Sequence, residues 1–157
     1  MSRILLDTNA LLELFVVRDT PTHAAMEQIL SLCREGKDEL LVTSLTLKDA
    51  SYLFENGASF KRVAPDRQFR SEQARRIREL AFATCTICGI DEDIARKAHQ
   101  NLSEPDYDDA LVAECALAYD AEVIISSDKE AFERSIVPKA SPQRYAKLMA
   151  KREQAQD

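Results

Sequence analysis

The chain is 157 residues long, 45% hydrophobic and 31% charged, proportions that exclude collagen-like, disordered and membrane-spanning classes. Acidic residues outnumber basic ones 27 to 21, for a formal charge of −6, and a balance of that sign argues at face value against a nucleic-acid partner. No apolar run approaches the ~18 residues of a membrane span, and the N-terminus lacks the marks of a secretory signal, so a cytoplasmic protein is expected.

In chain order, Arg3–Leu6 reads as a short aliphatic strand, Asp7-Thr8-Asn9 as a corner and Ala10–Phe15 as a helix. Thr22 is placed to cap a helix to about Glu35, with Ala25, Met26, Ile29, Leu30 and Cys33 on one face and Gly36 as its stop. Glu39–Thr43 follows as a second strand and Ser44–Asn56 as a helix ended by Gly57. The next stretch is polar, contains Pro65 and reads as irregular, ahead of a basic helix over Ser71–Ala83. Thr84–Ile90 has the composition of a buried strand, and Asp91 can cap a helix through Ile94, Ala95 and Ala98. Asp106, after Pro105, can cap a helix from Tyr107 to about Tyr119. Glu122–Ser126 is a further strand, Ser135–Val137 a last edge strand, and Ser141-Pro142 opens a short helix with Tyr145 and Leu148. One domain over residues 1–150 is expected, with Lys151–Asp157 as a polar, frayed tail.

Short aliphatic strands alternating with longer helices predict an α/β fold, a mostly parallel sheet covered by helices on both faces. Right-handed crossovers put every strand-to-helix turn on one sheet edge, where ligands of open α/β folds bind. The residues that fall there are acids. Asp7 follows the first strand, Asp49 lies early in the helix after the second, Asp109 is in the first turn after Pro105, and Asp128 follows Ile124-Ile125. Asp106 lies one turn before Asp109, on the same helix face. Crowded carboxylates raise one another's pKa and oppose compaction, a conflict that a divalent cation resolves. Carboxylate and water oxygens suit Mg²⁺ or Mn²⁺, and such a centre supports phosphoester hydrolysis. Singly, Asp91, Asp106 and Asp128 are equally explained as caps or turn residues. Recurrence of an acid behind strand after strand is what favours a metal site.

Leu5-Leu6-Asp7-Thr8-Asn9-Ala10 resembles the opening motif of PIN-domain nucleases, and Pro105-Asp106-Tyr107-Asp108-Asp109-Ala110-Leu111 the start of their central acidic helix. Ile124-Ile125-Ser126-Ser127-Asp128 with Phe132 resembles their closing motif, and Ser141-Pro142 with Tyr145 their terminal helix. The resemblance implies a PIN-like three-layer sandwich with Asp7, Asp49, Asp109 and Asp128 as catalytic acids. It makes Asp7, Asp109 and Asp128 the foremost metal ligands, and Asn9, Ser126 and Asp106 their support. It further implies a Mg²⁺- or Mn²⁺-dependent endoribonuclease acting on RNA, a homodimer, and greatest similarity to the VapC toxins of toxin–antitoxin pairs, with an antitoxin protein as partner. The second acid of those toxins is usually Glu, whereas this chain has Asp49, one methylene shorter. The alternative is a PIN-like module that binds RNA or protein around a weak or idle metal site.

The net charge conceals two opposed segments. Between Lys61 and Arg78 seven basic residues face two acids, a net +5, and between Asn101 and Glu133 ten acids face one lysine, a net −9. Arg67, Arg70, Arg75 and Arg76 are candidate contacts to an RNA backbone, since the planar arginine fork suits phosphate; the plainer reading is a solvated or antitoxin-facing helix surface. The acidic excess sits where cations bind, so with metal present it no longer argues against nucleic acid.

Cys85-Thr86-Ile87-Cys88 has redox or zinc spacing but no second ligand pair, and within a strand its two thiols point to opposite faces, which favours structural filling. His23 and His99 have no ligand spacing and read as helix-surface residues. The apolar runs from Leu11 to Val17 and from Ala50 to Phe54 exceed one buried helix face, so part of them can line a dimer seam or a groove for a partner helix. A haloacid-dehalogenase-like phosphatase is excluded because Asn9 stands where its second Asp belongs, and a phosphoacceptor receiver because Asp7 has no acidic neighbour.

Overall fold

Five strands among the described residues, β1 (Arg3–Leu6), β2 (Glu39–Thr43), β3 (Thr86–Cys88), β4 (Val123–Ile125) and β5 (Lys139–Ala140), form one sheet in the order β3-β2-β1-β4-β5. Every pairing is parallel. The structure is a computed structural model that describes residues 1–16, 19–36 and 38–155. Because successive strand residues point to opposite faces, an aliphatic strand that alternates nothing must be covered twice. Ile4, Leu6, Leu40, Val42, Val123 and Ile125 pack on one face, and Leu5, Leu41, Cys88 and Ile124 on the other.

The first face is covered by α1 (Thr8–Phe15), α2 (Pro21–Gly36), α3 (Ser44–Asn56) and α8 (Pro142–Gln154), which contribute Leu11, Met26, Ile29, Leu47 and Tyr145 to that core. A short α4 (Ala58–Val63) leads into α5 (Arg67–Thr84), which packs on α3 through Ala74, Ile77 and Phe54. The second face is covered by α6 (Glu92–Gln100) and α7 (Tyr107–Ala118), through Ile94, Val112, Cys115 and Ala116. The three-layer α/β arrangement expected from the sequence is therefore present. Each fully buried Ile or Leu of the sheet stabilises it by about 1.5–3 kcal/mol.

Several boundaries differ from the sequence reading. Helix α1 starts at Thr8, directly after Asp7. Thr20, not Thr22, caps α2, its hydroxyl accepting from the His23 amide at 3.1 Å with Pro21 in the first turn. His23 is buried, not a surface residue: Nδ1 meets the Glu13 carbonyl and Nε2 lies 3.3 Å from Glu27, so the ring ties α1 to α2. His99 is exposed. The stretch expected to be irregular holds α4, because Phe60 stacks on Phe54 at 4.8 Å and Gly57 lets the chain pass the Leu53 carbonyl, which any Cβ there would strike. Helix α5 begins at Arg67, its first turn fixed by the Asp66 carboxylate accepting from the Phe69 amide at 2.7 Å.

Because α5 runs on to Thr84, β3 is only three residues long, and Cys85 and Cys88 join opposite faces as the spacing requires. All four cysteines are buried and free, and burial pushes the Cys33 and Cys85 thiols up to about 12, away from reactivity. The last strand lies at Lys139–Ala140 instead of Ser135–Val137, since Val137 is drawn into the second core while Ile136 points to solvent. Helix α8 continues through Gln154, so most of the expected frayed tail is helical. In the first apolar run Leu11 and Leu14 are core, and Leu12, Phe15 and Val16 are half-buried against Phe54 and Ile77; Val17 lies outside the described residues. No helix among the described residues is long and apolar enough to cross a membrane.

Arg70 is corrected most sharply. It is only 5% exposed, and its guanidinium donates to the Glu55 carbonyl at 2.8 Å and to those of Ala64 and Pro65 at 2.7 Å each. It pins the α3 end and the α4–α5 link in place of contacting RNA, whereas Arg67, Arg75 and Arg76 stay exposed. Arg70→Ala leaves three carbonyls short of a charged donor and is expected to cost about 2–3 kcal/mol, read as a lower urea midpoint at unchanged m-value.

Helix α7 ends in a Schellman motif: the Ala121 amide donates to the Ala116 carbonyl at 2.9 Å and the Asp120 amide to Leu117 at 3.2 Å. Asp120 sits there at φ 55°, where glycine is preferred. Asp120→Gly is expected to raise the unfolding free energy by about 1 kcal/mol in denaturant titration.

Candidate active site

Sheet order reverses direction at β1: the chain leaves it toward β2 and later returns to its other side as β4. The crevice beyond the carboxyl ends of β1 and β4 is thus the switch point at which open α/β sheets bind ligands. Parallel register places Leu6 beside Ile125, so the next residues out, Asp7 and Ser126, meet across it. The Ser126 hydroxyl donates to Asp7 Oδ2 at 2.9 Å and accepts the Asp128 amide at 3.1 Å. Asn9, one residue into α1, donates to Asp7 Oδ2 and Ser126 Oγ at 3.4 Å each, while its Oδ1 accepts the Ser127 amide at 3.0 Å. One network thereby joins the corner after β1 to the corner after β4.

Asp7, Asp49, Asp106, Asp109 and Asp128 all line one cleft there, as does Asn9. Asp7 is 9% exposed and its carboxyl is pushed above its ordinary value, chiefly by burial, with the fields of Asp128 and Asp106 adding. Asp109, in the first turn of α7, is pushed up to about 7 by burial and then by Asp106, Asp7, Asp128 and Glu104. Asp128 goes the other way: the Ala131 and Glu130 amides donate to its Oδ1 and hold it below the carboxylate range, helped by Lys139. Asp106 does cap α7, its Oδ1 accepting the Asp109 amide at 2.8 Å. Asp49 is paired with Lys48 at 2.9 Å on α3.

A hard dication fits this donor set by chemistry. Oxygens alone are offered, and the upward shifts of Asp7 and Asp109 record carboxylates short of positive charge. Among the described residues, however, no three His, Cys, Asp or Glu side chains are gathered as a metal-binding group; Asp49, Asp106 and Asp128 each accept a hydrogen bond within the protein. The exposed arginines Arg67, Arg75 and Arg76 do not line the cleft, and Arg75 pairs with Glu79 at 3.2 Å.

Three residues that support the site are not singled out by the sequence. Lys139 of β5 donates from Nζ to the Asp128 carbonyl at 2.9 Å and the Ala131 carbonyl at 2.7 Å, clamping the loop that carries Asp128. Glu104 is buried and accepts the Phe132 amide at 2.8 Å, which holds a fully buried Phe132 at φ 64°. Neither has a signal in the sequence beyond its neighbours Pro138 and Pro105. Lys48 has one, its place beside Asp49.

The family model described as PIN domain matches residues 3–130. Comparison with curated proteins finds no match. Solved structures with the same fold include a chain of VapBC2 from Rickettsia felis bound to a DNA fragment from their promoter, at 15% identity and a TM-score of 0.60, covering 88% of this chain and 98% of that one. A toxin–antitoxin complex from Klebsiella pneumoniae matches at 21% identity and a TM-score of 0.60, over 88% and 97% of the two chains. VapC20 of Mycobacterium tuberculosis, a Sarcin-Ricin loop cleaving toxin, matches at 11% identity and a TM-score of 0.55, over 77% and 86%.

The raised Asp109 carboxyl has a signed consequence for the metal-free chain. Between the unfolded value near 3.8 and the folded value of about 7, the folded state binds more protons than the unfolded one. Stability from this group is thus complete below that window and lost as pH rises through it. Asp109→Asn is expected to raise Tm by a few degrees at pH 7.5 in EDTA, with the difference from wild type shrinking toward zero near pH 4. Thermal melts across that range check it.

Proposed function

The chain belongs to the PIN domain family, and from that premise we propose that it is a Mg²⁺- or Mn²⁺-dependent endoribonuclease. The observation that carries the reading is the cleft at the β1–β4 switch point, which Asp7, Asp109 and Asp128 line together with Asp49 and Asp106. Asp7, Asp109 and Asp128 are the residues that would hold the ion. When bound, it would acidify a water and offset charge on the leaving oxygen of a phosphodiester.

The chain's own groups then have separate duties. Ser126 and Asn9 fix Asp7 in one orientation, as outer residues do for ligands generally. Ser126 also receives the Asp128 amide, so both acids move as one unit. The Asp109 carboxyl, raised by burial and by its acidic neighbours, must be ionised on loading. Asp106 holds the α7 start that presents Asp109. Arg67, Arg75 and Arg76, which are exposed, are the residues that would contact an RNA backbone outside the cleft.

We further propose that the protein is the cytoplasmic toxin of a type II toxin–antitoxin pair and acts as a homodimer. Support comes from the toxin–antitoxin complexes that share its fold and from the motifs it has in common with VapC toxins. The alternative, a PIN-like binding module with an idle metal site, draws on the Lys48–Asp49 pair, which neutralises the shortened second acid.

Cleavage decides between them. With Mg²⁺ or Mn²⁺ the purified protein is expected to cut single-stranded RNA, and EDTA to stop it. Asp7→Asn and Asp109→Asn should each lower the rate by on the order of 10²-fold or more, and Ser126→Ala by about 10–100-fold. Equal cleavage by wild type and both Asp variants would trace the activity to a contaminant and leave the binding module. Toxin identity is read separately, as growth arrest on induction that a small protein encoded beside it relieves.

A further inference from the structure

Helix α3 turns two different faces to its surroundings. At about 100° per residue, Leu47, Ala50, Ser51 and Phe54 fall on one side, and all are buried. Lys48, Asp49, Tyr52 and Leu53 fall on the other and line the carboxylate cleft. Tyr52 is 60% exposed there and Leu53 42%. The Lys48 ammonium lies 5.9 Å from the centre of the Tyr52 ring while it holds Asp49 at 2.9 Å.

That arrangement is unlike the rest of the cleft. Among the described residues lining it, every charged one apart from Lys48 is an aspartate, and Tyr52 is the one aromatic. A cation and an exposed ring side by side offer the two things a nucleotide needs from a protein: countercharge for a phosphate and a flat apolar surface for a base. A base in a duplex is stacked and paired and cannot lie on such a ring, so the subsite selects an unpaired nucleotide. Leu12 and Leu53 add apolar surface to the same cleft.

We propose that Lys48 and Tyr52 form a subsite for one nucleotide of a single-stranded RNA, next to the bond presented to the carboxylates. Lys48 takes a phosphate oxygen and Tyr52 stacks under the base. The inference rests on the endoribonuclease reading for its substrate class and adds the requirement for an unpaired base. It also gives Asp49 a second duty: its carboxylate positions Lys48 toward the cleft.

The test uses fluorescein-labelled RNA and anisotropy in Mg²⁺, with the full chain carrying Asp109→Asn so that strands survive the measurement. Tyr52→Ala is expected to weaken binding of a single strand by about 5- to 10-fold, the lower range for loss of one base stack. Tyr52→Phe restores it, and a duplex of the same sequence binds poorly in every case. In a set of strands with one abasic site walked along the sequence, one position should abolish the effect of Tyr52→Ala. Lys48→Gln should weaken all strands alike and flatten the salt dependence. Equal loss on every abasic strand would make Tyr52 merely structural and overturn the proposal. Unchanged binding would overturn it too and leave the surface to a protein partner. Failure of the nuclease reading looks different: wild type cuts no RNA, whatever Tyr52→Ala does to binding.

Discussion

A carboxylate at the end of the central strand of a two-sided sheet is the constraint on which the site depends. Asp7 is nine-tenths buried, and a buried charge without hydrogen-bond partners is prohibitively costly. The Thr8 backbone amide and the Asn9 side chain supply part of that partnership from the start of α1, and the rest comes from the neighbouring strand. The Leu6–Ile125 register sets Ser126 beside it. A slip of one residue would exchange the side chains of β4 between the two cores and carry that hydroxyl away from Asp7. Register, packing and the site are therefore one property, and the clamp from Lys139 on β5 extends it to the next strand.

Two kinds of positioning follow. Asp7 and Asp128 are held by hydrogen bonds that would have to break before either moved. Asp49 lies in the second turn of α3, paired with Lys48, and Asp109 in the first turn of α7. Asp109 pays for its place: an N-terminal helix turn favours a negative charge, yet burial and four neighbouring carboxylates outweigh that and lift it to about 7. The firm hold on Asp7 and Asp128 suits an ion that demands near-ideal geometry and arrives with its own waters.

How far the sequence discloses this depends on range. The strands β1, β2 and β4, the acids Asp7 and Asp128 just past two of them and the caps at Asp91, Asp106 and Ser141 rest on local patterns, and all are present. The Thr20 cap is hidden because Thr22 offers the same chemistry two residues on. Helix α4 depends on Phe60 finding Phe54, and β5 on Val137 being pulled inward; neither tertiary contact leaves a periodic trace. Arg70 shows the limit most clearly. In a row of arginines nothing local separates the one that is buried under three carbonyls from those that face water.

The charge distribution takes a different form in space. Along the chain, the basic segment and the acidic segment look like an approach path and a centre. In the fold, α5 packs on the buried side of α3, through Phe54, Ala74 and Ile77, with Arg78 donating to Ser51 of that helix. The acidic cleft lies on the opposite side, lined by Lys48, Asp49 and Tyr52. One helix thus separates the arginines from the carboxylates by its own width, roughly 10 Å, about a Debye length at moderate salt. The exposed arginines can attract a polyanion to this end of the molecule but cannot neutralise the aspartates. That second task falls to the groups within the cleft itself, and among its described lining residues only Lys48 carries a positive charge. Under the proposed reading a dication would bring a phosphate up to Asp7 and Asp109, and an acidic chain would then accept a polyanion.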